Sequence, residues 1–194
     1  MAISFDPMVT LTAIDSFVVD TQGYVQGTFL DDPAIRFQLE SGTIASSVTQ
    51  PVWGGLPINL TVPTSPELGN SITLSTDYTD IVAWSCMNQA HNMVLTPGNN
   101  VPQAVAGMTT NLFRTGSGAR MIVKCDPTLV NTIIGGAGNQ TVSWDFTTNE
   151  LIAFNTTALP VQVEYASNNG KTVTYNSGTG ALTWATSSVA VIRI

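Results

Sequence analysis

His91 is the only histidine in the chain, so any general-base chemistry has to be built on that one imidazole. Ser85 and Cys86 stand nearby as nucleophile candidates, and Asp77 or Asp80 could supply an orienting carboxylate. Neither a GxSxG elbow nor a cysteine-protease signature accompanies them, so they lack the frame that a triad needs. A polar turn over NQAHNM, whose amides and imidazole satisfy backbone groups, accounts for His91 without catalysis. The thirteen carboxylates always permit some close pair of the kind that cleaves glycosides, but sequence spacing identifies none. An enzyme is not expected.

Metal and cofactor chemistry fares no better. Zinc fails on ligand count, because one histidine and two distant cysteines give no close-spaced pair. Asp31 with Asp32, and Asp77 with Asp80, are neighbouring oxygen donors, but neither pair has EF-hand spacing and turn-forming Asp is the simpler reading. GGAG (Gly135 to Gly138) and GSGAR (Gly116 to Arg120) lack the GK[ST] of a phosphate loop and read as turns. No metal or cofactor is expected. Cys86 and Cys125 are expected reduced and buried as small apolar residues.

The elements that would position these residues are strands. Short apolar or alternating runs recur between Gly, Pro, Asn, Asp and Ser: Phe17 to Val19, Ile35 to Leu39, Ile58 to Val62, Ile72 to Leu74, Ile81 to Cys86, Met121 to Cys125, Val142 to Phe146 and Leu151 to Phe154. TVSWDF and ELIAFN form one expected hairpin across TTN. TVTY (Thr172 to Tyr175) and ALTW (Ala181 to Trp184) form a second, with Gly178 and Gly180 supplying positive φ angles. Asn168, Asn169 and Gly170 suggest a further reversal, and SVAVIRI a final strand. Pro57 to Pro66 and Pro97 to Pro102 read as long loops. One short helix is expected over Pro127 to Ile134, capped by Asp126. The fold class is all-β: an antiparallel sandwich, jelly roll or barrel in a single domain over 1–194. Trp84, Trp144 and Trp184 read as core anchors, whereas Trp53, followed by Gly54 and Gly55 and flanked by prolines, is expected on a loop.

Charge is scarce. Only 10% of residues are Asp, Glu, Lys or Arg, against roughly 25% in an ordinary domain, while 43% are hydrophobic. Thr, Ser, Asn, Gln and Gly take the place of ions, which suits surfaces that meet other proteins without desolvating charges. Residues 1–80 hold nine acids against Arg36 alone, and 81–194 hold four acids against five bases, with Arg114, Arg120 and Lys124 in one short segment. No basic stripe suits nucleic acid. MAISFDPMVTLT lacks the basic and apolar regions of a secretion signal, and no stretch approaches the ~18 apolar residues of a membrane span. A soluble, unsecreted chain is expected, with the sequons at Asn59, Asn139 and Asn155 unused.

Four segments taken together carry a resemblance: FQLESGTIASSVTQPVWGGLPI (Phe37 to Ile58), NQAHNMVLTPGNNVP (Asn88 to Pro102), LFRTGSGARMIVKCDP (Leu112 to Pro127) and VSWDFTTNELIAFN (Val142 to Asn155). The chain resembles tailed-bacteriophage capsid decoration, or cement, proteins over about 120 residues, with Thr156 to Ile194 the more variable part. The resemblance implies a homo-oligomer, dimer or trimer, made in the host cytoplasm and bound to the capsid exterior. There it would bridge neighbouring major capsid subunits against internal pressure. Under that reading Trp53, Gly54 and Gly55 are expected as a loop contact, and Arg114, Arg120 and Lys124 as counter-charges to an acidic patch, the alternative for the bases being a solvated strand edge. A virion-displayed carbohydrate- or receptor-binding module is the second reading, motivated by Trp53 and the Gly/Asn-rich C-terminal turns.

Overall fold

The computed structural model describes residues 24–30, 35–63, 69–87, 101–136 and 139–194. In chain order the strands are β1 (Phe29–Leu30), β2 (Glu40–Ile44), β3 (Pro57–Thr61), β4 (Asn70–Leu74), β5 (Ala83–Ser85), β6 (Thr109–Arg114), β7 (Arg120–Lys124), β8 (Val142–Asp145), β9 (Glu150–Ala153), β10 (Gln162–Asn176) and β11 (Ala181–Arg193). Helix α1 (Pro127–Ile133) joins β7 to β8. The all-β expectation holds, as a barrel combined with an open sheet.

Five strands close in the order β2-β4-β3-β5-β6. Only β2 and β4 run parallel; the other four pairings are antiparallel. The lumen is filled by Ile44, Val52, Ile58, Ile72, Ala83 and Leu112, so the barrel is a packed core without a channel. The second sheet, β1-β7-β11-β10, is antiparallel throughout. Its β10–β11 hairpin is its longest part, at 15 and 13 residues. A third piece, the β8–β9 hairpin, packs with α1 over a large core that includes Phe113, Met121, Val142 and Ile192.

Trp84 from the barrel meets Trp144 from β8 edge to face at 5.2 Å in that core. Tyr78 pins the same strand, its hydroxyl accepting from the Trp144 N–H at 2.8 Å and donating to the Trp144 carbonyl at 2.7 Å.

Local sequence signals fared unevenly. α1 starts where expected, with the Asp126 carboxylate accepting from the Thr128 N–H at 2.6 Å and Pro127 opening the first turn. Both hairpins form, the second pairing Val173 with Trp184 and Tyr175 with Leu182. Its turn takes a positive φ at Gly180, not at Gly178.

Three expectations are corrected. Pro57 opens strand β3 instead of a loop, which its missing N–H permits at a first strand residue. Ile35 to Gln38 is a 3-10 turn, not a strand, closed by the Leu39 N–H donating to Arg36 at 3.2 Å. Asn168 to Gly170 does not reverse the chain: it is an irregularity within β10, where register shifts between Ser167 and Gly170. Gly170 is required there because a Cβ would lie 2.5 Å from the Val189 side chain.

The barrel and the sheet are joined at a backbone crossing. A Cβ on Gly27 would fall 2.4 Å from Gly54 Cα, and one on Gly54 would fall 2.6 Å from Met87 N. At that spacing the chains bond directly: the Gly27 N–H donates to Ile122 at 2.7 Å, and the Met87 N–H to Gly27 at 2.8 Å. Ser85 completes the joint, its buried hydroxyl donating to the Trp53 carbonyl at 2.6 Å and accepting from the Leu56 N–H at 3.0 Å.

Gly54→Ala should therefore destabilise by about 3 kcal/mol or more, since backbone, not a flexible side chain, occupies the space. Gly116→Ala meets no atom within 4 Å and carries only the strain of φ +88, for which about 1 kcal/mol is expected. Urea unfolding of the two variants checks this order; equal costs would contradict it.

Candidate functional site

The loop contact expected at Trp53, Gly54 and Gly55 is corrected by their burial. Trp53 is 4% exposed, and both glycines are buried in the crossing just described. The WGG sequence is there because two glycines let the backbone pass Gly27 and Met87 while the indole packs with Leu56, Val173 and Leu182.

The three bases of the central segment are on strands, each with an acidic partner in the same chain. Arg114 Nε on β6 lies 2.8 Å from Glu40 Oε1 on β2. Arg120 Nη1 on β7 lies 3.7 Å from Glu164 Oε2 on β10, which also holds Arg193 through its Nε at 2.8 Å. Lys124 Nζ lies 3.2 Å from Glu150 Oε2 on β9. All are partly solvated, so each pair contributes little stability, but each neutralises local charge.

The residues weighed for chemistry separate. His91, Asp31 and Asp32 lie outside the described residues. Ser85 is spent on the backbone of Trp53 and Leu56. Cys86 and Cys125 are free and buried. Burial pushes the Cys125 thiol up to about 12, with the charges of Glu150 and Asp126 adding, and burial raises Cys86 as well. Both are therefore protonated thiols at neutral pH, poor nucleophiles and poor metal ligands. Asp77 and Asp80 form a capping box on the 3-10 turn Tyr78–Asp80, the turn-forming use of Asp. Among the described residues no group of three or more His, Cys, Asp or Glu could hold a metal ion.

The conspicuous surface feature is apolar, and sequence reasoning missed it. Phe37 and Val62 are each 92% exposed. They stand at separate places on the barrel: Phe37 precedes the start of β2, whereas the pairing of Thr61 with Ser71 and of Ser71 with Thr43 sets Val62 level with the middle of β2. Arg114 pairs with Glu40 at the start of β2, three residues after Phe37. Beside Val62 a cavity of about 470 Å³ runs against Thr43, Ala45, Thr61, Pro63 and Ser71. Val62 continues the inward alternation of Ile58 and Leu60, but the strand has by then run past its neighbours. Phe37 was read as one face of a strand that does not form.

A second, smaller cavity lies between β7, the β8–β9 turn and β10. Burial of the Asp145 carboxyl acts to raise its pKa, but the N–H and hydroxyl groups of Thr147 and Thr148 outweigh it and hold it below the usual carboxylate range. Asp126 is lowered by the Thr128 hydroxyl and N–H, and Asp77 by the N–H and hydroxyl of Thr79.

Comparison with protein-family models, with curated proteins and with solved structures returned no match.

A pH dependence follows from these carboxylates. Each has a folded pKa below its unfolded value of about 4, so its stabilisation is complete above that value and is lost as pH falls through the folded one. The urea midpoint should hold steady near pH 6 and drop below about pH 4. Replacing Asp126 and Asp145 by Asn should flatten that drop, and an unchanged acid profile would assign it to other groups.

Proposed function

We propose that this chain is a structural virion protein, not an enzyme. It binds the outer surface of a tailed-bacteriophage capsid as a homo-oligomer and cements neighbouring major capsid subunits against internal pressure. The observation that carries the reading is the exposure of Phe37 and Val62, two large apolar side chains left in water on a charge-poor surface. Such a surface gains by being covered, and covering it desolvates few ions. The ordered resemblance of four sequence segments to decoration proteins supplies the identity of the cover.

Under this proposal the contact moves from Trp53, Gly54 and Gly55 to Phe37 and Val62. Arg114 lies at the start of β2, which Phe37 precedes, and can share its charge between Glu40 and an acidic capsid group. Arg120 and Lys124 are committed to Glu164 and Glu150 on the other sheet and its neighbouring hairpin, where they balance the chain's own acids.

Co-sedimentation with expanded, decoration-free capsids tests the proposal. Saturable uptake of the wild type is expected. Phe37→Ser and Val62→Ser should each weaken it about tenfold or more, as fits the loss of roughly 1.5–3 kcal/mol per large apolar side chain buried. Both side chains are exposed in the free protein, so urea stability should be unchanged. Wild-type protein that stays in the supernatant would remove the proposal.

A further inference from the structure

We infer that the cavity between β7, the β8–β9 turn and β10 binds a neutral polyhydroxylated ligand the size of a single sugar ring. Its volume is about 210 Å³, below the roughly 300–1,000 Å³ of sites for drug-sized molecules. One wall is aromatic: Trp53 and Tyr175 line it with ring centroids 5.7 Å apart and planes tilted by 39°. Facing groups are short and polar, from Thr147, Thr148 and Asn149 on the turn and Thr174 on β10. The half-buried Tyr175 ring beside hydroxyl and amide groups matches the alternation of C–H faces and hydroxyls on a sugar, whereas Trp53, almost fully buried, contributes little surface.

Charge selects the ligand class. Lys124 lines the cavity, but its ammonium is 3.2 Å from Glu150, so the pair offers an anion no net attraction. The other lining groups are uncharged.

The Trp53 indole is a reporter for the cavity. Its N–H is buried and has no hydrogen-bond partner, and a buried donor left unpaired is costly. Trp84 and Trp144 also have unpartnered indole N–H groups, but those rings pack against each other in the core, whereas Trp53 lines a cavity. Asn149 holds a left-handed φ of 54°, a conformation that costs energy in a non-glycine residue. Asp145 braces the turn from within, accepting from the Thr147 N–H at 2.7 Å. The inference is independent of capsid binding: either can fail without the other.

Proton–nitrogen correlation spectra of the full chain, titrated with glucose, galactose, mannose or N-acetylglucosamine and with glucuronate as the charged control, test it. At least one neutral sugar should shift the Trp53 indole resonance, with a dissociation constant on the order of 10 mM. The indole resonances of Trp84 and Trp144 should stay in place. Asn149→Gly, which suits the left-handed φ, and Thr174→Val should each weaken the effect about tenfold. No shift with any neutral sugar, binding of glucuronate equal to the best neutral sugar, or unaltered binding in both variants would overturn the inference.

Discussion

Where Gly27 passes Gly54, the backbones come so close that neither position has room for a methyl group, and the two halves of the fold are joined by that contact. Gly54 leads into β3 of the barrel and touches Met87, just past β5. Gly27 precedes β1 and donates to Ile122 on β7 of the open sheet. The adjoining Gln26 fastens β10, its carboxamide oxygen accepting from the Val173 N–H at 2.9 Å. Ser85 closes the barrel side of the joint by satisfying two backbone groups that would otherwise be buried without partners. Hydrophobic clusters also span the two halves, with Trp84 and Phe113 of the barrel packed in one core with Met121 and Ile192 of the open sheet, and the crossing of backbones adds a contact that side chains cannot replace.

Much of the fold was legible because its signals are local. Asp126 and Pro127 announce α1 by their chemistry at a helix start, and the TTN and NSGTG segments announce hairpins by their turn residues. What was not legible depends on partners far away in sequence. WGG looks like a flexible loop until Gly27, 26 positions upstream and with nothing in the sequence to link the two, is known to lie against it. Asn168 to Gly170 has turn composition, but the bulge it makes is dictated by Val189 on the opposite strand. The two exposed apolar side chains were hidden for a related reason. Apolar residues in strand-like runs are normally core, and only the places where β2 begins and β3 ends leave Phe37 and Val62 outside it.

The scarcity of charge also takes a more definite form. With few ions available, the chain uses several between elements rather than along them: Glu40 with Arg114, Glu164 with Arg120 and Arg193, and Glu150 with Lys124. Each link spans two strands. Locally the pairs cancel, leaving hydroxyls, amides and isolated apolar side chains as the character of the described surface around them. Desolvating such a surface costs less than desolvating an ionic one, and the same property lets a small cavity beside Trp53 favour neutral ligands.

Closure of the five-stranded barrel has a consequence for crowding. An open sheet edge offers an identical neighbour a row of unpaired N–H and C=O groups to copy, so that concentration itself drives strand-to-strand growth. A ring in which β6 returns to β2 has no such row. The edge left to manage belongs to the open sheet, where the outermost strand β10 is bonded by the segment around Tyr24 to Gln26 at Lys171 and Val173.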